Sequence, residues 1–310
     1  MAKLLKDADI LPPSDDHIFK TLLTHPDAEH VLVDIISAVI ERTVISVQIR
    51  NTELPATYTE EKAERLDVNC VIDNGDQVNV EMHSSRIVEP VGNHKNFTNK
   101  YIYYGTDLHS SQTSKGKKYF EFARTYQITF CSYTVLPNRR DYVNRAALRF
   151  PDGELLSDQI NLIIVEMSKL GDVLKKPVEE LTSLESWSIF LGYAPDKNYR
   201  DYINHIIESK KEVDMAATLL QKISKDEQAR ARYRSRKMFE TDIESNLLTA
   251  VDNAKEEAWQ GGRQEGRQEG WQVGIEEERR KNAKAMKAEG IDVNTIIKIT
   301  GLTADDIQKL

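Results

Sequence analysis

The sequence predicts a mixed α/β core ending near residue 200, followed by an α-helical tail. Three observations carry this. Strand-like alternation or short apolar runs recur at 43–50, within 65–83, at 126–136 and at 160–167. Stretches of helical period stand before, between and after them. Beyond residue 200 the chain is charged and rich in helix formers, with Gly262, Gly266, Gly270 and Gly274 recurring every fourth position.

Taken in order, SDDHIFKTLLTHPDAEHVLVDIISAVIER at 14–42 reads as two helices. Ser14 or Asp15 caps the first, and Pro26 separates it from a more apolar second. TVISVQIR at 43–50 alternates as a strand, and RLDVNCVIDNGDQVNVEMH at 65–83 reads as a β-hairpin. Residues 94–114 form a helix with Phe97, Tyr101, Tyr104 and Leu108 near one face. YQITFCSYTVL at 126–136 and INLIIVEM at 160–167 are strands, and 177–193 is a helix around Trp187. The expected organisation is therefore a core over 1–200, a helical extension over 201–260, a glycine-repeat connector over 261–282 and a small helical unit over 283–310.

The four-residue glycine spacing slightly exceeds one helical turn, so a helix carries these glycines as a slowly drifting stripe. Each glycine costs such a helix roughly 1 kcal/mol relative to alanine. The intervening Arg, Gln and Glu favour a helix, marginal by itself and packed along its stripe against another chain, over a flexible connector. At the end of the chain a helix stops at Gly290 and Asp292 caps a second through Ile299. Gly301 makes a turn, and Thr303 caps a third helix with Asp306 at the capping-box position. The outline is helix–turn–helix. Its last helix, ADDIQKL, suits oligomerisation or protein docking better than a DNA groove.

Composition narrows the class. The 310 residues are 40% hydrophobic, enough for a real core, and no apolar run is long enough to span a bilayer. The opening MAKLLKDADILPPSDD lacks a signal-peptide core, and Cys70 and Cys131 read as buried thiols, so a reducing cytoplasm is expected. No zinc spacing is visible. Net charge is −8, unevenly spread: residues 1–85 carry 7 Lys/Arg against 16 Asp/Glu, whereas 86–149 carry 11 against 4. The basic segment includes Lys95, Lys100, Lys115, Lys117, Lys118, Arg124, Arg139, Arg140, Arg145 and Arg149, and ARARYRSRK at 229–237 adds five more basic residues. Clusters of this kind are the footprint of phosphate binding, although 229–237 reads equally well as a solvated helix face.

The hairpin holds the main chemical signal. Asp73-Asn74-Gly75 suits a three-residue loop with glycine in the left-handed position. That loop pairs Ile72 with Asp76 and brings Asp67 opposite Glu81; a two-residue Asn-Gly turn would send the two acids to opposite faces. Directly opposed carboxylates have Cβ atoms about 5 Å apart and repel by about 3 kcal/mol at an effective dielectric near 20. A shared proton, a cation or a metal must offset this, and oxygen ligands of this kind suit Mg²⁺. On the hairpin alone, the ordinary reading is a solvated polar face with splayed acids.

Four further stretches carry a family resemblance: DHIFK at 16–20; RLDV at 65–68 with VEMH at 80–83; KYIYYGTDLHSSQTSKGKKY at 100–119; and LSDQINLIIVEMSKL at 156–170. Together with the GRQEG repeats and the ITGLT ending, they make the chain resemble the Rpn group of recombination-promoting nucleases and putative transposases, within the PD-(D/E)xK nuclease superfamily. The resemblance covers nearly the whole chain. It implies a restriction-endonuclease-like core in which Asp67 and Glu81 bind Mg²⁺, with Mn²⁺ as a substitute. His83 would orient or deprotonate the attacking water, and Asp16 would supply an outer-shell or second-metal carboxylate. The expected DNA contacts are Lys100, Lys115, Lys117 and Lys118. Two residues depart from the family pattern: His83 stands where Gln is usual, and Lys100 where Arg is more frequent, which keeps the charge but loses bidentate phosphate geometry.

The expected function is a Mg²⁺-dependent DNA endonuclease with little sequence preference, linked to recombination or mobile DNA. A catalytically weakened DNA-binding or regulatory protein on the same core is one alternative. A scaffold that forms homo-oligomers through its tail is another. Glu166 and Lys169 read as a structural ion pair, and Tyr103, Tyr104 and Tyr119 as core residues.

Overall fold

The structure is a computed structural model, and it describes residues 9–50, 67–84, 94–113 and 118–310. Lys115 and Lys117 therefore lie outside the described residues, as does Leu66. The chain divides into two units, Met1–Glu240 and Thr241–Leu310.

In the first unit Asp15 caps α1 (Asp16–Leu23) by accepting hydrogen bonds from the His17 and Ile18 amides. A single 3₁₀ turn at Pro26–Ala28 leads into α2 (Glu29–Ile40). The strands are β1 (Val47–Ile49), β2 (Val68–Ile72), β3 (Gln77–His83), β4 (Thr125–Cys131), β5 (Val143–Arg149) and β6 (Leu155–Glu166), and α3 (His94–Ser110) lies between β3 and β4. They make one sheet of order β1-β2-β3-β4-β6-β5. The β1–β2, β2–β3 and β5–β6 pairs are antiparallel, while β3–β4 and β4–β6 are parallel. This mixed sheet between helices is the restriction-endonuclease-like arrangement.

Two of the strand expectations need correction. Only Val47–Ile49 of the 43–50 stretch is a strand, because its ladder with β2 ends after three pairs. An edge strand, β5, is present where none was expected, and its pairing with β6 is broken by register shifts.

The two faces of the sheet differ in chemistry. Val68, Cys70, Val78, Val80, Met82, Ile128, Phe130, Ile163 and Val165 point to the main core, shared with α1, α2 and α4 (Ser183–Tyr193). That core continues past residue 200 through Ile203, Ile206 and Ile207 of α5 (Arg200–Ser209) and Val213, Leu220 and Ile223 of α6 (Lys211–Lys225). Trp187 of α4 is fully buried and donates its indole N–H to Asp34 of α2 at 2.6 Å. The opposite face carries Asn69, Asn79, Glu81, Gln127 and Thr129, all buried. Helix α3 covers it with Phe97, Tyr101 and Tyr104, which pack with Cys131, Tyr133 and Val135. At Gly105 the helix comes so close that a Cβ would lie 3.0 Å from Leu162 Cδ2. The polar face of the hairpin is therefore not solvated, contrary to its ordinary sequence reading.

Helix α7 (Glu227–Ala288) runs unbroken through the glycine repeat. A Cβ at Gly262, Gly266, Gly270 or Gly274 would meet nothing within 4 Å, so the stripe faces open space. In the second unit Gly290 lies at φ +79° and Asp292 caps α8 (Val293–Thr300). Gly301 lies at φ +71°, and Thr303 with Asp306 forms the capping box of α9 (Ala304–Gln308). Ala283, Ile296, Leu302 and Ile307 make a small core of their own.

Candidate active site

The hairpin turn is the three-residue loop. The Gly75 amide donates to Ile72 O, the Ile72 amide donates to Asp76 O, and Gly75 sits at φ +87°. Val68 pairs with Val80 and Cys70 with Val78, so Asp67, immediately before β2, stands opposite Glu81. The two carboxylates are cross-braced by backbone. The Asp67 amide donates to Glu81 Oε1 at 3.1 Å, and the Met82 amide donates to Asp67 Oδ2 at 2.9 Å. Asn79, two residues before Glu81 on the same strand face, adds an Nδ2 bond to Glu81 Oε1 at 2.9 Å. Each acid thus spends one oxygen on fixed donors, and no hydrogen bond among the described residues reaches the other.

Burial dominates the electrostatics. Glu81 is 5% exposed, and desolvation, reinforced by the nearby Asp67 charge, pushes its carboxyl up to about 8. Desolvation likewise pushes Asp67 up to about 6, against the Met82 amide bond that favours the anion. Both shifts disfavour two full negative charges side by side in this site. Lys20 and Lys100 are the cations whose charge reaches Asp67, and Lys100 also reaches Glu81. Lys100 Nζ lies 5.2 Å and 5.3 Å from the ring centres of Tyr101 and Tyr104.

His83 follows Glu81 by two residues and so shares its face. Its Nε2 is 2.7 Å from Tyr133 Oη, and its ring packs against Phe97, Tyr101 and Tyr133. Burial in this aromatic surround, with Lys100 nearby, lowers its pKa to about 4. It is a neutral imidazole at physiological pH. Asp16, at the start of α1, lies close enough for its charge to raise Asp67, but Arg236 of α7 holds both of its oxygens at 2.6 Å. A carboxylate engaged this way suits an outer-shell role better than a direct metal ligand.

The donor set can be tested against a metal. Among the described residues no group of three or more His, Cys, Asp or Glu side chains is placed to hold an ion. Asp67 and Glu81 offer hard oxygen ligands, with no ion pair to another of the described residues, in a site where their own charge is costly. Mg²⁺ keeps several waters and is commonly held through one or two carboxylates, so this set fits it.

Lys118 is exposed, with its Nζ 5.4 Å from the Phe120 ring centre. Arg139 and Arg140 are exposed as well. Tyr104 is buried as expected, but Tyr103 and Tyr119 are 48% and 85% exposed, which corrects their assignment to the core. Glu166 is fully buried: it accepts the Val135 and Leu136 amides and pairs with Lys169, which also donates to Leu136 O and Arg139 O. Their role is to clamp the segment after β4. Sequence reading missed Asn79, Tyr133 and Arg236. Asn79 was accessible from the period-two alternation; the other two come from elsewhere in the chain.

The profile of the PD-(D/E)XK nuclease family transposases matches residues 13–250. The chain belongs to this family. The profile of the Rpn/YhgA-like nuclease family C-terminal HTH domain matches residues 276–310, the end of α7 with α8 and α9. No curated protein and no solved structure matches the chain. For a PD-(D/E)XK nuclease family transposase, the matched span contains Asp16, Asp67, Glu81, His83 and Lys100 together. Among the described residues, no helix is long and apolar enough to cross a membrane.

Proposed function

We propose that the protein is a Mg²⁺-dependent DNA endonuclease with little sequence preference, acting on recombining or mobile DNA. The observation that carries this is the backbone-braced pair of half-buried Asp67 and buried Glu81, two facing acids whose repulsion a proton or a bound cation must offset. Asp67 and Glu81 would hold Mg²⁺ or Mn²⁺, which supplies Lewis-acid polarisation of a phosphodiester and a more acidic bound water. His83, anchored by Tyr133, would orient or deprotonate the attacking water. Asp16 acts from the outer shell, fixed by Arg236. Lys100 and Lys118, with Lys115 and Lys117 between them in sequence, contact backbone phosphates, so affinity falls as salt rises. The helix–turn–helix unit adds DNA contacts or docking. The tail, with Trp259 and Trp271 exposed beside the glycine stripe, joins copies of the chain. The two buried thiols suit a reducing cytoplasm.

The test is supercoiled plasmid incubated with wild-type protein in Mg²⁺, Mn²⁺ or EDTA. Nicking in either metal and none in EDTA is the expected result. A plasmid that is shifted on a gel but left intact in every metal would favour a DNA-binding protein on a nuclease fold. Light scattering on a chain ending at Gln260 tests the tail: a mass unchanged from the full chain contradicts oligomerisation through it.

A further inference from the structure

The sheet face that carries the carboxylates does not end at them. The register lays out a row running from Asp67, just before β2, through Glu81, Thr129, Ile164 and Asn144 on β3, β4, β6 and β5. Neighbouring strands are about 4.8 Å apart, so Thr129 begins one strand away from Glu81. Under α3, the Thr129–Ile164–Asn144 part of this row floors a cavity of about 230 Å³. Gln127 on the adjacent row and Tyr101 of α3 also line it, and Arg139 stands exposed at its lip.

The lining is chemically mixed. Gln127 and Thr129 are each 1% exposed, a wall of buried polar groups, and Gln127 Oε1 is held by Asn79 Nδ2 at 2.9 Å. Tyr101 is 2% exposed, and its hydroxyl has no hydrogen-bond partner among the described residues. A buried polar group without a partner costs about 1–3 kcal/mol, so this hydroxyl points to a ligand. The volume falls below the roughly 300–1,000 Å³ usual for drug-sized ligands. It is room for one flat heterocycle, with apolar surface from Ile164 for its faces and amide and hydroxyl groups for its edge.

We propose that this cavity receives a single nucleobase, turned out of the DNA strand at the carboxylate pair, with Arg139 on the adjoining phosphate. The inference rests on the endonuclease reading and specifies how that site holds its substrate. Bases present donors and acceptors on one edge and a π-face for packing, and extruding one costs a few kcal/mol that a snug pocket offsets. Because Tyr101 lies against His83, at 5.8 Å between ring centres, an inserted base locks the residue next to the carboxylates. The protein would then favour single-stranded, mismatched or easily unstacked positions over a regular duplex.

The experiment uses the full chain in EDTA, so that no strand is cut, with oligonucleotides carrying 2-aminopurine at each position in turn. Emission is expected to rise several-fold at one position on binding. It should return to the free-strand level with Ala146→Phe, which fills the cavity from the exposed edge strand β5. Tyr101→Phe, which removes only the hydroxyl, is expected to reduce the rise and weaken binding several-fold. Bound oligonucleotide with no rise at any position overturns the proposal, as does a rise that survives both variants. 2-Aminopurine deoxyriboside monophosphate provides a control. Its Ala146-sensitive binding without any strand response makes the cavity a mononucleotide site and overturns the strand version. Metal-dependent plasmid nicking with no emission rise overturns the pocket alone, whereas failure to bind any oligonucleotide overturns the nuclease reading with it.

Discussion

Replacing Glu81 by Gln should stabilise the metal-free protein at alkaline pH. The carboxyl is 5% exposed and is pushed from its ordinary 4.5 up to about 8, chiefly by burial and next by Asp67. An acid whose folded value is raised contributes full stability below its unfolded value and loses it as pH rises toward the folded one. The window here is about 4.5 to 8. At 1.36 kcal/mol per unit, the folded state at pH 8 is penalised by about 4 kcal/mol relative to one with a neutral side chain. Gln keeps the Oε1 acceptor for the Asp67 amide and Asn79 and carries no charge. For a domain of this size, at about 2–4 °C per kcal/mol, E81Q should melt roughly 10 °C higher than wild type at pH 8 in EDTA. The difference should shrink to about 1 kcal/mol or less at pH 5. Mg²⁺ should then raise the melting temperature of wild type and leave E81Q unchanged. Scanning calorimetry across pH, with and without Mg²⁺, provides the assay. An advantage absent at pH 8, or one that persists undiminished at pH 5, would show that the Glu81 carboxyl is not raised by burial beside Asp67.

Three other outcomes follow from the same geometry. Histidine NMR should show that His83 stays neutral from pH 5.5 to 8; titration near 6.5 would contradict its burial against Phe97, Tyr101 and Tyr133. Glu166→Ala should cost about 3–5 kcal/mol in chemical denaturation, because it strands Lys169 and the Val135 and Leu136 amides; a loss under 1 kcal/mol would remove the clamp argument. Arg236→Ala breaks a partly exposed pair and should cost no more than about 1 kcal/mol of stability. Its plasmid nicking rate should nevertheless fall as Asp16 loses its anchor, with Arg236→Lys recovering part, and equal rates would argue against an Asp16 role.

The local features of this chain were legible because local chemistry determines them. Asp73-Asn74-Gly75 admits a left-handed glycine and so the register that opposes Asp67 to Glu81, and Gly75 takes that conformation. The same holds at Asp292, Gly301, Thr303 and Asp306, where caps and turns depend on side chains within a few residues. Strand β5, VNRAALR, escaped notice because an exposed edge strand needs no apolar alternation. That the polar face of the hairpin is buried depends on α3 crossing it, with Gly105 permitting the close approach. Tyr133 reaches His83 only because β3 and β4 run parallel and pair His83 with Cys131, and Arg236 reaches Asp16 across 220 residues. Such pairings follow from tertiary packing, and hydrophobic period does not encode them.

In the proposed mechanism Asp67 and Glu81 together hold the metal on which DNA cleavage depends. The most direct measurement is the rate of plasmid nicking in Mg²⁺ by wild type, Asp67→Ala and Glu81→Ala, each shown by circular dichroism to be folded. Metal-dependent nicking by wild type and its loss in both variants, with gel-shift binding retained, is the predicted result. Nicking that survives in either folded variant would place the chemistry elsewhere.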